Sequence, residues 1–267
     1  MEIIMNIKDF MKKDGERPLD NLVCDGGFAK IFRKVGCIGD SLSSGEFESF
    51  ENGLTGYHDM YEYSWGQFMA REAGFEALNF SRGGLTASEF INTYYIPWGC
   101  GTPEKLCQAY IIALGVNDLS ARRNIQLGSI DDVTLGSPNM NKDTFAGHYA
   151  KILQRLLAVN PKAKFFLVSM PKNGDEAHDL KAKGHRDYLY DLAKLFGKNV
   201  YIIDLYEYAP VYDAEFKRNF FLRGHMNPQG YALTAKMFLS YIDYIIRNNP
   251  EDFSTIAFWN KPFYNDR

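Results

Sequence analysis

A three-layer α/β/α domain on a parallel five-stranded sheet is what this chain of 267 residues predicts, and three observations carry the prediction. Short apolar runs alternate with longer segments of helical period, the pattern of strands joined by helical crossovers. The runs are rich in β-branched and aromatic residues, as strands covered on both faces need to be. Hydrophobic residues make up 46% of the chain, enough to fill a core on each side of a sheet, and the length suits one α/β domain with insertions.

Residues 1–33 precede the first strand and read as an N-terminal extension, with Phe28, Ile31 and Phe32 available to pack on a domain spanning residues 34–267. The first strand is expected at 35–38, followed by a Gly- and Ser-rich turn over 39–45 and a long loop over 46–59. A helix over 63–73 places Trp65, Phe68 and Met69 on one side. Strands follow at 77–80 and 110–114. A second long loop covers 124–141. Both loops follow blocks that carry polar turn residues, so both are expected to wall a site.

Phe145, Tyr149, Ile152, Leu153 and Leu156 recur at three- and four-residue spacing, which predicts an amphipathic helix over 142–158. A fourth strand lies at 164–169. Tyr188, Leu189, Leu192, Leu195 and Phe196 mark another helix, closed by Gly197 as its C-terminal cap. The fifth strand is 200–204. The last helix opens on Asn227 as N-cap with Pro228 in the first helical position, and carries the stripe Leu233, Met237, Phe238, Tyr241, Ile242 and Ile245.

Four blocks carry the chemistry. Gly39-Asp40-Ser41-Leu42 leaves the first strand, where a serine hydroxyl can be aimed into a cleft. Asn79-Phe80-Ser81-Arg82-Gly83-Gly84 leaves the second strand and Gly115-Val116-Asn117-Asp118 the third. Gly224-His225-Met226-Asn227-Pro228 precedes the last helix. Ligands of open parallel sheets bind beyond the carboxyl ends of the strands, and Ser41, Gly84 and Asn117 all fall there. Each residue also has a plain structural use. Asn-Asp is a common turn pair, and a lone histidine can cap local backbone. Asp40 reads as structural, shaping the turn that carries Ser41.

Together, in this order and separation, the blocks resemble the SGNH, or GDSL, superfamily of lipases, acylhydrolases and esterases, over about residues 34–248. The resemblance implies a flavodoxin-like sheet, the SGNH hydrolase fold, and a serine esterase needing no cofactor or metal. Ser41 is then the nucleophile and His225 the catalytic base, with Ser41, Gly84 and Asn117 forming the oxyanion hole. Gly84 is placed by counting from Asn79 to the Gly-x-Thr that closes the block. Short-acyl esters, including acetyl groups on carbohydrate, are the implied substrates, and Tyr57, Tyr61 and Trp98 suit stacking on sugar rings or packing.

One position departs from the family pattern. The acid three residues before the histidine is replaced by Leu222. Asp204, Asp213 or Glu215 could substitute for it, a main-chain carbonyl could accept the imidazole N–H, or the site could be degenerate. The alternatives to an esterase are therefore a non-catalytic binding protein that keeps the cleft, and an O-acyltransferase.

Other chemistries lack their motifs: no Gly-x-Ser-x-Gly, Gly-x-Gly-x-x-Gly, P-loop or His-Glu-x-x-His occurs. Asp175, Glu176, His178 and Asp179 cluster in what reads as a solvated loop that could also hold a metal. The remaining histidines, His58, His148 and His185, read as surface residues. A net charge of −3 supplies no electrostatic reason for a nucleic-acid partner. No apolar segment is long enough to cross a bilayer, so no membrane partner is expected. The N-terminus lacks the pattern of a signal peptide. Of the four cysteines, Cys37 reads as a buried hydrophobe. Cys100 and Cys107 could pair, but free thiols are expected. A cytoplasmic enzyme follows as the default, although a mature secreted form would read the same.

Overall fold

The computed structural model describes residue 11, residues 13–123 and residues 125–258; residues 1–10 of the expected N-terminal extension lie outside them. In chain order the first elements are β1 (Lys34–Gly39), the one-turn helix α1 (Ser41–Ser44), and the strands β2 (Glu46–Glu51) and β3 (Leu54–Asp59). Next come α2 (Trp65–Ala73), β4 (Glu76–Ser81), the short α3 (Ala87–Glu89) and β5 (Ala109–Ala113). The second half holds α4 (Phe145–Val159), β6 (Lys164–Val168), α5 (Glu176–Phe196), β7 (Val200–Ile203), α6 (Leu205–Tyr208) and α7 (Ala214–Phe220). The last strands and α-helices among the described residues are β8 (Phe221–Leu222), β9 (His225–Met226), α8 (Pro228–Asn248) and α9 (Pro250–Phe253).

Five strands form one sheet in the order β4-β1-β5-β6-β7, and every pairing is parallel. Numbered among themselves by sequence, the order is 2-1-3-4-5, the flavodoxin-like winding. Alternation along β5 explains the layering. Tyr110 and Ile112 face one core with Phe145, Tyr149 and Ile152 of α4 and Leu189 and Leu192 of α5. Ala109 and Ile111 face the other, with Trp65 and Met69 of α2 and Phe238, Leu239 and Ile242 of α8. Burying each such large side chain stabilises the fold by about 1.5–3 kcal/mol. The three-layer α/β/α domain and all five strands are as the sequence implies.

The caps follow local chemistry. Ser64 and Thr144 accept from the backbone amides three residues on and start α2 and α4, and Asn227 does so for α8 with Pro228 behind it. Gly197 ends α5 with φ 68°. Ahead of β1, Ala29 and Phe32 are buried beside α8, and Phe28 N–H donates to Asp243 of that helix at 2.8 Å.

One expectation needs correction. Residues 46–59 are not a loop but an antiparallel hairpin, β2 pairing with β3 from Glu46↔Asp59 to Glu51↔Leu54. Asn52 and Gly53 turn it with φ 53° and 81°, the left-handed pair a two-residue hairpin requires. Residues 125–141 are hydrogen-bonded on two sides: Ile125 N–H donates to Asp118 O at 3.1 Å, beside Asn117, while Phe145 N–H donates to Gln126 O and Gln154 Nε2 to Thr134 O.

Candidate active site

Ser41 is the first residue of α1, one position beyond Asp40 at the end of β1. Asp40 builds the turn: its Oδ1 accepts from Leu42 N–H at 3.0 Å, and its carbonyl accepts from Ser43 and Ser44 N–H at 2.9 Å. Only glycine fits at 39, because any Cβ there would collide with Ser43 Oγ. Burial pushes the Asp40 carboxyl up to about 6, opposed by the Leu42 amide and by the charge of His225.

Asn117 and Gly84 converge on this turn from the neighbouring strands. Asn117 Nδ2 donates to Asp40 Oδ2 at 3.2 Å and to Leu85 O at 3.4 Å, tying together the turns after β1, β4 and β5. Gly84 has φ 72° with open space where a Cβ would stand. Its glycine is thus required by backbone conformation, not by crowding. Asp118 is fully buried, and its Oδ1 accepts from Ala87 N–H at 2.9 Å, joining the Asn117 turn to α3.

The end of β5 is further held by His185, which is fully buried on α5 and not at the surface. Its Nδ1 accepts from Met170 N–H at 3.3 Å, so Nε2 carries the proton and donates to Leu114 O at 3.0 Å. Acceptance at Nδ1 needs the neutral ring, and burial lowers its pKa to about 4, opposed by the bond to Leu114.

His225 stands on β9, which touches α1. Its Nδ1–H donates to Glu48 Oε1 at 2.6 Å. The same oxygen accepts from Gly224 N–H at 3.1 Å. On the other edge of the ring, Nε2 forms an ion-pair contact of 2.9 Å with Glu46 Oε1. Among the described residues, no hydrogen bond joins His225 to Ser41. The ring edge of Tyr57, cross-strand neighbour of Glu48, packs on the imidazole at 6.0 Å between centroids. Glu46 also reaches Gly83, where a Cβ would strike its Oε2. Burial, with Asp59 and Glu48 nearby, raises the Glu46 carboxyl, and only the His225 charge lowers it.

The carboxylate beside the imidazole is therefore one that sequence reasoning missed. Leu222 sits opposite His225 in the β8–β9 pair and is half exposed. None of the expected substitutes reaches the ring. Asp204 is fully buried and bound by Arg186 Nε at 2.6 Å, Tyr190 OH at 2.9 Å and Ser169 Oγ at 3.2 Å. Asp213 caps α7 by accepting from Phe216 N–H at 2.9 Å, and Glu215 is an exposed residue of that helix. The signal that finds Glu48 is the Asn52-Gly53 turn, which makes 46–59 a hairpin and puts Glu46, Glu48 and Phe50 on one face.

Of the aromatic residues expected to stack on sugars, Tyr57 stands exposed beside the site. Trp98 is spent on packing against Tyr94 at 4.7 Å and Phe90 at 6.2 Å, and the Tyr61 hydroxyl is buried. The acidic cluster caps α5: Asp175 accepts from His178 N–H, and Asp179 from Asn173 N–H, both at 2.8 Å. Among the described residues no group of three or more His, Cys, Asp or Glu side chains is placed to hold a metal ion, and no helix is long and apolar enough to cross a membrane. All four cysteines are free, Cys24 exposed and the others buried.

Comparison with known proteins places the fold. The profile of the GDSL-like Lipase/Acylhydrolase family matches residues 37–233. Comparison with curated proteins returns no match. Among solved structures, a protein from Lactobacillus plantarum superposes with a TM-score of 0.59 at 16% identity, over 79% of this chain and 97% of that one. A family two carbohydrate esterase from Clostridium thermocellum, in complex with cellohexaose, gives 0.56 at 16% identity, over 82% of this chain but only 65% of its own. The lipase/acylhydrolase from Enterococcus faecalis gives 0.52 at 16%, over 81% and 96%. At these identities the superpositions speak to the fold.

Proposed function

Since the chain belongs to the GDSL-like lipase/acylhydrolase family, we propose that it is a serine hydrolase of carboxylic esters, with Ser41 as nucleophile and His225 as base. The observation that carries this reading is the 2.6 Å hydrogen bond from His225 Nδ1 to Glu48. It supplies an acid partner in place of the one lost at Leu222 and holds the ring in an orientation from which Nε2 can act as a base. That contact favours turnover over a binding protein with a decayed site.

Attack begins when Nε2 leaves the proton it shares with Glu46 on that carboxylate, turns to the Ser41 hydroxyl and takes the hydroxyl proton as Oγ bonds to the ester carbon. Negative charge moves to the carbonyl oxygen, where the N–H groups of Ser41 and Gly84 would receive it, joined by the Asn117 amide as it exchanges its long contact with Leu85 O for the substrate. The imidazolium, flanked by Glu48, returns its proton to the departing alcohol. Water activated by the same ring then releases the acid from the acyl-enzyme. This reaction needs no cofactor.

Short-acyl esters of a polyhydroxylated alcohol, such as acetyl groups on carbohydrate, are the substrate class. Likeness to a family two carbohydrate esterase and the exposed Tyr57 ring beside His225 support it. Free cysteines support a cytoplasmic setting. Treatment with a fluorophosphonate probe tests the chemistry: covalent labelling at Ser41, lost in Ser41→Ala and in His225→Ala, is expected. A wild-type protein that is folded and unlabelled overturns the assignment.

A further inference from the structure

Glu46 lies across the site from the base to the turn after β4. Its Oε1 is 2.9 Å from His225 Nε2, and its Oε2 fills the space that a Cβ on Gly83 would need, one residue before Gly84. We propose that this carboxylate is an internal competitor for the substrate, which closes the site between turnovers and which every ester must displace to reach the base. The inference rests on the esterase reading above and deepens it by naming a residue that sets substrate affinity.

The position of the carboxyl argues for this use. Acyl transfer needs one point within reach of nucleophile, base and oxyanion donors. With the roles assigned above, that point falls between His225 Nε2 and the 83–84 turn, and the Glu46 carboxyl spans the same interval. Ser41 begins the one-turn helix α1, which touches both β2 and β9, and Glu46 follows that helix after Gly45. A planar carboxyl thus stands where a planar ester group has to enter, and it has the shape of the acid that hydrolysis releases. The contact also takes Nε2 out of use as long as it lasts.

The surroundings argue that the contact can open. Glu46 is buried, and among the described residues His225 is the one cation paired with it. Asp59, its partner across the hairpin, and Glu48, on the same strand face, are both acidic and oppose its charge. A buried carboxylate with a single partner is held weakly. Its main chain, in contrast, is fixed: Tyr231 OH donates to Glu46 O at 2.7 Å, and β2 pairs with β3 at this residue. Rotation about the side-chain bonds can therefore carry the carboxyl out, with the shared proton on it, without moving the hairpin. Glu48, one step further along the strand face, keeps its bond to Nδ1 meanwhile.

Glu46→Ala in the full chain tests this. A hydrogen bond between charged groups that substrate must break weakens binding by about ten- to a hundredfold. The variant should therefore raise kcat/KM for p-nitrophenyl butyrate by about that factor through a lower KM, and a fluorophosphonate should label Ser41 correspondingly faster. Sodium acetate, a carboxylate small enough for the vacated place, should inhibit Glu46→Ala competitively and the wild type about tenfold more weakly. Glu46→Gln keeps the shape without the charge and gives a smaller gain in the same direction, which serves if the alanine variant fails to fold. An unchanged or higher KM in the folded variants, or equal inhibition of wild type and Glu46→Ala by acetate, overturns the internal competitor and leaves the esterase reading standing. A fall in kcat in both variants overturns it as well, because Glu46 is then needed for the chemistry. No turnover of any ester and no labelling of wild type or variants overturns the esterase reading and the competitor together.

Discussion

Replacing Glu48 with glutamine removes one negative charge from beside the imidazole while keeping the shape of the side chain. On the proposed mechanism His225 becomes an imidazolium in the transition state, and Glu48 Oε1 lies 2.6 Å from its Nδ1. A unit charge pair about 4 Å apart at an effective dielectric near 20 is worth about 4 kcal/mol. A neutral amide oxygen in the same place keeps a hydrogen bond of about 1 kcal/mol, so the net loss is about 3 kcal/mol, or about 10² in kcat. The serine-protease precedent, an acid-to-amide change, loses ~10⁴ because the amide installs the wrong tautomer. Here Gly224 N–H donates to the same oxygen at 3.1 Å, which obliges glutamine to keep its carbonyl, not its NH₂, toward the ring. The Nδ1–H tautomer is thereby retained, and the smaller loss is expected. Glu48→Ala frees the ring to rotate and should approach the larger figure. Steady-state kinetics on p-nitrophenyl butyrate are the assay, and the deficit belongs in kcat with KM nearly unchanged. E48Q turnover within about threefold of wild type would refute the role of Glu48.

Asn117→Ala removes one oxyanion donor and should lower kcat by about 10²–10³, while fluorophosphonate labelling at Ser41 slows but persists; full activity in that variant would exclude Asn117 from the hole. His185 makes stability depend on pH. Its pKa is near 4 in the folded chain, against 6.5 for the free group, so the unfolded chain binds the extra proton first as pH falls. The contribution is intact above 6.5 and lost progressively toward 4, about 3 kcal/mol in all. Burial raises the Asp40 and Asp118 carboxyls to about 6 and 7, so they act oppositely and destabilise the fold as pH rises through that range. Melting temperatures of wild type and His185→Gln between pH 7 and 4 separate the two: relative to the variant, the wild type should lose stability as pH falls. Parallel curves would show that His185 is not the group responsible.

The five sheet strands and the helices that cover them were legible because each satisfies one simple rule. Apolar runs such as Ala109–Ala113 have no polar face to hide, and α4 repeats its core residues at helical spacing. Ser41, Gly84 and Asn117 were legible for the same reason: each sits at the end of a readable strand. The β2–β3 hairpin was missed because its apolar residues break the alternation that announces a strand. Phe47 packs inward on Tyr231 at 5.5 Å, whereas Phe50, three residues on, lies outside under the guanidinium of Arg223 at 3.9 Å. The start of α5 was missed for a related reason. Its first turns bury only Ala182 and His185, too small and too polar to register as a stripe.

The missing acid was invisible for a different reason, which is tertiary. Glu48 and His225 are 177 residues apart, and no local pattern links them. What links them is the pleat of β2, which sends every second side chain to one face. Glu46 meets His225 Nε2, Glu48 meets His225 Nδ1 and Gly224 N–H, and Phe50 lies under Arg223. Three successive positions of one strand face thus grip three successive residues of the histidine turn. A carboxylate on β8 at position 222 would have to work from within that tight turn, where Arg223 already holds φ 62°. A carboxylate on β2 arrives on a strand anchored by Tyr231 OH, which donates to Glu46 O at 2.7 Å. On the proposed reading the hairpin supplies both the charge and the rigidity that an orienting acid needs, and leucine at 222 then agrees with an acid that arrives from β2.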